Sequence, residues 1–189
     1  MKKYLIISIL IISLQAFGLK KEFSYYGLKL GLSFDETLAI LETNKIFKID
    51  ESRFFGKINE PVPFIIKATY KPYISQIYVQ FYSNVAYGIT IQFNNSYFDY
   101  FSLSEKLEDS YGTPSKKTSK ITEWKTLSNF QNILGNMSDI ILRLEYPSTV
   151  KVFDNNILLK LNSEVRENII RTTNLSTINS NRKALLNEL

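Results

Sequence analysis

Histidine and cysteine are both absent from this 189-residue chain. Their absence excludes the Ser-His-Asp and Cys-His nucleophile systems and removes the usual ligand sets of zinc and haem. No glycine-rich loop of the kind that binds a nucleotide occurs either. The sequence therefore favours a protein without catalytic activity, cofactor or metal.

The lack of cysteine also limits how the protein is stabilised and anchored. Without disulfides, stability has to come from packing of the core, even in an exported protein. A lipid anchor of the bacterial lipoprotein type needs a cysteine after the signal peptide, and this chain has none. We therefore expect a soluble protein that carries no lipid.

The longest apolar run lies at the N-terminus, over residues 5–14. Two lysines precede it and small residues follow it, which is the pattern of a bacterial secretory signal peptide. The run is shorter than the roughly 20 apolar residues that span a bilayer. We predict a signal peptide over residues 1–18 and a periplasmic or secreted protein. The alternative is an uncleaved segment that tethers the domain to the membrane.

The rest of the chain carries little net charge. Loss of Lys2 and Lys3 lowers the formal charge from +5 by two, to +3. The charges are spread along the sequence, which argues against a nucleic-acid partner. We predict a single domain over residues 19–172 and a polar, loose tail over residues 173–189.

The first helix is marked by its N-terminal signal. Ser33 and Glu36 have the spacing of a capping box, which predicts a helix from Phe34 to about Thr43. The helix would bury one apolar stripe. That stripe consists of Phe34, Leu38 and Leu41.

The second helix is marked most clearly at its end. Gly112 supplies a left-handed residue and Pro114 prevents continuation. The start is predicted at Asn95-Ser96, where Ser96 could cap the first turn. The predicted buried side is Tyr97, Phe101, Ser104, Leu107 and Tyr111.

Strands are predicted between and after the helices from alternating apolar residues. The first three are Phe64 to Tyr70, Gln76 to Tyr82 and Val85 to Phe93. We predict that a three-residue loop sets Phe81 opposite Val85, because a two-residue turn at Ser83-Asn84 would pair Phe81 with Ala86 and mix core with solvent.

Later strands are predicted near Ile121 to Leu127 and Asp139 to Tyr146. A hairpin is predicted to join Thr149–Phe153 to Ile157–Leu161 through the turn at residues 154–156. A last helix is predicted to begin at Ser163. Short connections favour an α+β fold with helices on one face of an antiparallel sheet, in two halves of one helix and three strands.

This order of elements resembles a family of small exported bacterial proteins. A glycine-led capped helix, a Tyr111-Gly112-x-Pro114 helix end and a strand with Trp124 are similar to the beta-lactamase inhibitory protein and to small outer-membrane assembly lipoproteins. The resemblance implies a helix-plus-sheet fold and binding of other proteins. It carries no functional residue across.

The candidate binding residues lie on the second predicted strand. Gln76, Tyr78, Gln80 and Tyr82 alternate with its apolar residues and project from the opposite face. Rigid amphipathic rings beside amides are typical of surfaces that bind proteins or glycans. We predict an envelope or extracellular protein or glycan as partner. The alternative is that a helix covers this face or that these are ordinary cross-strand pairs.

Two other functional hypotheses stay open. Glu105, Asp109 and Glu123 could act as acid or base in an enzyme that cleaves envelope glycans, provided that two of them converge. The basic loop after the second helix could bind a nucleic acid or an anionic lipid, although a solvated turn is the commoner structure. Its basic residues are Lys116, Lys117 and Lys120, and we expect Trp124 beside them to be a core residue.

Overall fold

The structure is a computed structural model that describes residues 22–50, 64–131 and 137–164. Within these ranges the helices are α1 (Phe34–Thr43), α2 (Tyr100–Tyr111) and α3, which begins at residue 155 and is described to residue 164. The strands are β1 (Lys48–Ile49), β2 (Phe64–Tyr70), β3 (Ile74–Tyr82), β4 (Val85–Phe93), β5 (Lys116–Lys117), β6 (Ile121–Gln131), β7 (Met137–Glu145) and β8 (Thr149–Asp154). The predicted signal peptide and tail lie outside the described residues.

The strands form one sheet in the order β1-β2-β3-β4-β8-β7-β6-β5, and every neighbouring pair is antiparallel. α1 precedes the meander of β1 to β4, and α2 precedes the meander of β5 to β8. The two meanders meet where β4 pairs with β8. The predicted α+β class with an antiparallel sheet is thereby confirmed.

α1 has the predicted bounds because side chains close its N-terminus. The Glu36 backbone N–H donates to Ser33 Oγ at 3.2 Å, and the Ser33 backbone N–H donates to Glu36 Oε2 at 2.8 Å. Hydrogen bonds from the Ser33 backbone and hydroxyl hold the pKa of Glu36 below its usual value. Phe34 and Leu41 of the predicted stripe are buried, and Leu38 is half-buried.

The predicted start of α2 is wrong, because Asp99 rather than Ser96 caps the helix. Asp99 Oδ1 accepts hydrogen bonds from the backbone N–H groups of Phe101 and Ser102 at 2.8 and 3.0 Å. The buried residues of the observed helix are Tyr100 and Ser104, and Leu107 and Tyr111 of the predicted side pack against the core. Tyr97 and Phe101, which were expected inside, are 55% and 79% exposed.

The end of α2 is as predicted. Gly112 has a φ of 79°, and its backbone N–H donates to the Glu108 carbonyl at 2.8 Å. The Gly112 carbonyl accepts a hydrogen bond from Trp124 Nε1 at 2.6 Å. Trp124 is buried in the core, as expected.

The predicted register of β3 and β4 is wrong. A two-residue turn at Ser83 and Asn84 joins the strands, with φ values of 48° and 62° that fit a tight hairpin turn. Phe81 pairs with Ala86, and the pairing shifts by one residue before Gly88. This bulge returns the later apolar residues of β4 to the core face. The short turn therefore does not place core residues and solvent-facing residues on the same face, contrary to the expectation from the sequence.

The predicted second strand of the last hairpin is wrong, because residues 155–164 form α3. Asp154 Oδ1 accepts hydrogen bonds from the backbone N–H groups of Asn156 and Ile157 at 2.9 and 3.3 Å, so Asp154 caps a helix instead of starting a turn. Ile157 and Leu161, one helical turn apart, pack with the rings of Tyr82 and Tyr87 in a separate small cluster. Residues 165–170, expected in a last helix, lie outside the described residues.

The main core contains residues from both meanders and from α1 and α2. Its fully buried side chains include Leu41 of α1, Phe81 of β3, Leu144 of β7 and Val152 of β8. Tyr100 joins it at the start of α2, and its hydroxyl lies 2.7 Å from Thr122 Oγ1. The opposite side of the sheet is called the outer face below.

Candidate functional site

A continuous row of polar residues crosses the outer face. The pairing of seven strands places its members side by side, since each is the register partner of the next. In spatial order the row is Lys67, Tyr78, Thr90, Lys151, Arg143, Glu123 and Lys116. Except at Lys116, the neighbours of these residues along the strands are buried in the core, so alternation within the strands produces the row.

Ion pairs order the β6 to β8 part of this row. Arg143 Nη2 lies 2.8 Å from Glu123 Oε2, and Nη1 lies 3.6 Å from Glu145 Oε1. Lys151 Nζ lies 2.6 Å from Glu145 Oε2. The Arg143 guanidinium also sits 5.4 Å from the centre of the Phe153 ring. These contacts fix the charged groups in place and leave them partly accessible.

The four predicted binding residues do not form one exposed patch. Gln76, Tyr78 and Gln80 are half-buried on the outer face. A Cβ added at Gly88 would lie 2.7 Å from Gln80 Oε1, so the Gln80 side chain covers that glycine. Tyr82 is 6% exposed, because α3 packs on it. Tyr78 and Gln76 are therefore the predicted residues that stay available beside the polar row.

Lys160 of α3 contributes to that cover. Its Nζ lies 5.4 Å from the centre of the Tyr82 ring, at a distance that suits a cation–π contact. A helix, α3, therefore covers the outer face at Tyr82. It does not extend to Tyr78 among the described residues.

The three candidate catalytic carboxyls do not share a site. Glu105 and Asp109 are exposed on α2, which packs with Trp124 on the core side of the sheet. Glu123 precedes Trp124 on β6 and points to the outer face, where it is bound to Arg143. The geometric condition for a glycan-cleaving pair is not met by Glu123 with either helix residue.

Lys116 and Lys117 of the loop after α2 form a structural connection. Lys116 and Lys117 form β5, which pairs with β6. Lys117 Nζ lies 3.1 Å from Glu108 Oε2, so the loop folds back and neutralises a carboxylate at the end of the helix. Lys120 is exposed at the start of β6.

A second surface, not foreseen from the sequence, lies at the end of the sheet where β2 turns into β3. Rings contact one another in a closed circuit there, with centroid distances from 4.9 to 6.3 Å. The circuit consists of Tyr25, Tyr26, Phe47, Tyr70, Tyr73, Phe98 and Phe93. Tyr97 makes an edge-to-face contact with Tyr73, and Tyr100 contacts Phe101 and Tyr146 beside it. These eleven rings are called the aromatic end below.

A family model for the TP0088 domain matches residues 23–164, which is most of the chain. The chain belongs to the TP0088 domain family. Neither a curated protein nor a solved structure gives a match. The TP0088 domain spans α1 to α3 and therefore contains both the polar row and the aromatic end.

Within the described part of the TP0088 domain, no cluster of three carboxylates could hold a metal ion. The helices of that part are all too short or too polar to cross a bilayer. At the aromatic end, burial raises the pKa of the Tyr25 hydroxyl to about 12, with the neighbouring Tyr26 and Tyr70 adding to the shift. Tyr25 is therefore a neutral hydrogen-bonding group at physiological pH.

Proposed function

We propose that this chain is an exported binding or adaptor protein of the cell envelope, without catalytic activity, and that its outer face contacts the partner. One observation carries the proposal, namely the polar row that crosses seven strands and contains half-buried Tyr78. Polar groups already held by ion pairs and by a rigid sheet lose little freedom on binding. A tyrosine ring beside amides adds contact area at low entropic cost.

The arrangement of α1 and α2 supports an outer face that is open away from α3. We infer that α1 and α2 cover the same side of the sheet, because buried residues of both helices belong to the main core. An approximate two-fold axis between β4 and β8 would relate the two meanders and keep both helices on that side. Each half would then be one helix with four strands, since β1 and β5 add to the three that the sequence predicts.

The resemblance to exported helix-plus-sheet proteins stays a prediction and points to the same class of function. The separation of Glu123 from Glu105 and Asp109 weakens the alternative of a glycan-cleaving enzyme. Export itself rests on the apolar run of residues 5–14. Mass spectrometry of the native protein tests it, because a cleaved signal gives a species that starts at Leu19.

The outer face is tested by site-specific photo-crosslinking in the source cell. A photoreactive phenylalanine analogue replaces Tyr78 in one variant and exposed Glu105 of α2 in the control variant. We expect a discrete adduct from position 78 only. Added wild-type protein should suppress that adduct, whereas a folded Tyr78→Ala, Lys151→Ala variant should not. Equal adducts at both positions, or none at position 78, would contradict the proposed surface.

A further inference from the structure

Exposed apolar side chains are concentrated at the aromatic end. Seven large hydrophobic residues of the described structure are exposed. Six of them lie at the aromatic end, five as its rings and Ile46 as the residue directly before Phe47, and the seventh is Leu159 of α3. The six are Tyr26, Ile46, Tyr73, Tyr97, Phe101 and Tyr146. Scattered exposed apolar residues are normal in a soluble protein, but clustering of this kind marks an interaction surface.

Phe101 lies in the first turn of α2, and the other five residues lie in separate turns and loops. Hydrogen bonds join three of these loops. The Asn94 backbone N–H donates to the Tyr73 carbonyl at 2.9 Å, and Asn94 Nδ2 donates to the Pro72 carbonyl at 3.0 Å. The Phe93 backbone N–H donates to the Ser148 carbonyl at 3.0 Å. The loops that carry Tyr73, Tyr97 and Tyr146 are thereby fixed relative to one another.

One more hydrogen bond extends the same edge. The Tyr146 backbone N–H donates to the Lys120 carbonyl at 2.8 Å, which brings the start of β6 into line with the other loops. The exposed rings therefore form a broad edge distributed over several loops. A broad edge of separate ring tips fits a flat partner better than a small ligand held in a cavity.

The charges on these loops are mainly basic. The exposed lysines in residues 44–48, 71–73 and 118–120 are Lys45, Lys48, Lys71 and Lys120, and the described residues give none of them an ion-pair partner. On residues 94–99 the exposed carboxylate is Asp99, which is bound to the first turn of α2. Tyrosine tips with lysines around them match the chemistry of an anionic lipid headgroup layer.

The N-terminal sequence adds support in the alternative in which residues 1–18 stay attached. The apolar run of residues 5–14 connects to the described structure at Glu22, four residues before Tyr26. If the run entered a bilayer, the aromatic end would lie within reach of the same surface.

We propose that the aromatic end is a membrane-contacting surface, which rests on a bilayer that contains anionic phospholipid. Its rings lie in the headgroup region while the flanking lysines attract the lipid phosphates. This surface is distinct from the outer face, so the protein could hold a partner on one surface while it rests on the membrane with the other. The two proposals can fail independently.

The absence of native cysteine allows a local test on the full chain. Ser96→Cys places a label at the aromatic end, and Ser83→Cys places it in the β3–β4 turn at the opposite end of the sheet. Both serines are exposed, so the pair is matched. Each is labelled with an environment-sensitive fluorophore and mixed with vesicles of equal parts phosphatidylcholine and phosphatidylglycerol.

We expect a blue shift and quenching by nitroxide-labelled lipid at position 96 and neither at position 83. Vesicles of phosphatidylcholine alone should give a weaker response. Lys71→Gln with Lys120→Gln should lower partitioning by roughly fivefold per lysine, which corresponds to about 1 kcal/mol each. Tyr97→Ser with Tyr146→Ser should lower the response at position 96, whereas Leu159→Ser should leave it unchanged.

Three results would overturn the proposal. A label at position 96 that stays in water while the protein sediments with vesicles would mean that the N-terminal run alone binds. Equal responses at positions 96 and 83 would mean adsorption without orientation. Shielding of position 96 by a soluble envelope protein or glycan, with no response to vesicles, would assign the aromatic end to that partner. Circular dichroism of each variant confirms that the fold is retained.

Discussion

Gly112 is the residue on which the joint between α2 and β5 depends. Its φ of 79° and ψ of −165° lie in a region that is essentially confined to glycine. Its N–H closes the helix and its carbonyl accepts the hydrogen bond of Trp124. One residue thus sets both the end of the helix and the position of the buried indole.

Gly112→Val is expected to lower the free energy of unfolding by about 1 to 3 kcal/mol. A Cβ at this position would meet nothing within 4 Å, so the cost comes from backbone strain and not from a clash. As a control, replacement of Lys116, Lys117 and Lys120 by Ser should change it by less than about 0.5 kcal/mol, because these side chains are exposed. Urea denaturation measures both, and a glycine variant as stable as the control would refute the strain.

At the scale of elements, helix ends with two reciprocal signals could be predicted and ends with one ambiguous signal could not. Ser33 and Glu36 support each other, and the observed α1 has the predicted bounds. Asp154 followed by two asparagines suits a hairpin turn as well as a helix cap. The choice depends on whether Ile157 and Leu161 find a surface at helical spacing, which Tyr82 and Tyr87 provide.

The prediction of the register between β3 and β4 was wrong for a different physical reason. Strict alternation along β4 predicts that Val85 and Tyr87 face the core with Ile89. The bulge adds one residue, and Tyr87 turns away to pack under α3. A sequence pattern alone does not reveal a bulge, since it leaves every residue type in place.

The pH dependence of stability offers a test of the α2 cap. Hydrogen bonds from the Ser102 hydroxyl and from the Ser102 and Phe101 backbone hold the pKa of Asp99 below its usual value. Stabilisation from the cap is therefore complete above the unfolded-state pKa of about 3.9 and is lost as the pH falls through the lower folded value. Asp99→Asn keeps a capping oxygen without a titrating charge.

The Tm of Asp99→Asn should lie below that of wild type near neutral pH. The difference between the two Tm values should shrink as the pH is lowered. Ser102→Ala removes the leading cause of the shift and should reduce the pH dependence of wild type without abolishing it. A deficit that stays constant from neutral to acidic pH would show that the Asp99 charge does not stabilise the helix.

At the scale of the whole molecule, the class and the polar face could be predicted because both depend on alternation within single strands. The assembled surfaces could not. The aromatic end brings together residues as distant as Tyr26 and Tyr146, and its rings contact each other only after the sheet order is set. The interruption of the predicted binding face at Tyr82 likewise comes from α3, which lies more than 70 residues later in the chain.

The sheet order also predicts how the molecule unfolds. The two meanders share one core and pair through β4 and β8, so they should unfold together and not as separate units. Trp124, the single tryptophan, reports on the second half, whereas fully buried Leu41 of α1 belongs to the first. Leu41→Ala should lower stability by about 2 to 5 kcal/mol through loss of burial and the cavity that remains.

If the core is cooperative, Leu41→Ala shifts the Trp124 fluorescence transition by as much as the far-UV circular dichroism transition. Leu159→Ala removes an exposed leucine of α3 and serves as the control that should shift neither. A Trp124 transition that stays at the wild-type temperature while circular dichroism shows an earlier loss of structure would mean that the halves unfold independently. In that case the β4–β8 pairing would join two domains. In a single cooperative core, the loss of stability caused by Leu41→Ala would also lower the temperature of the Trp124 transition.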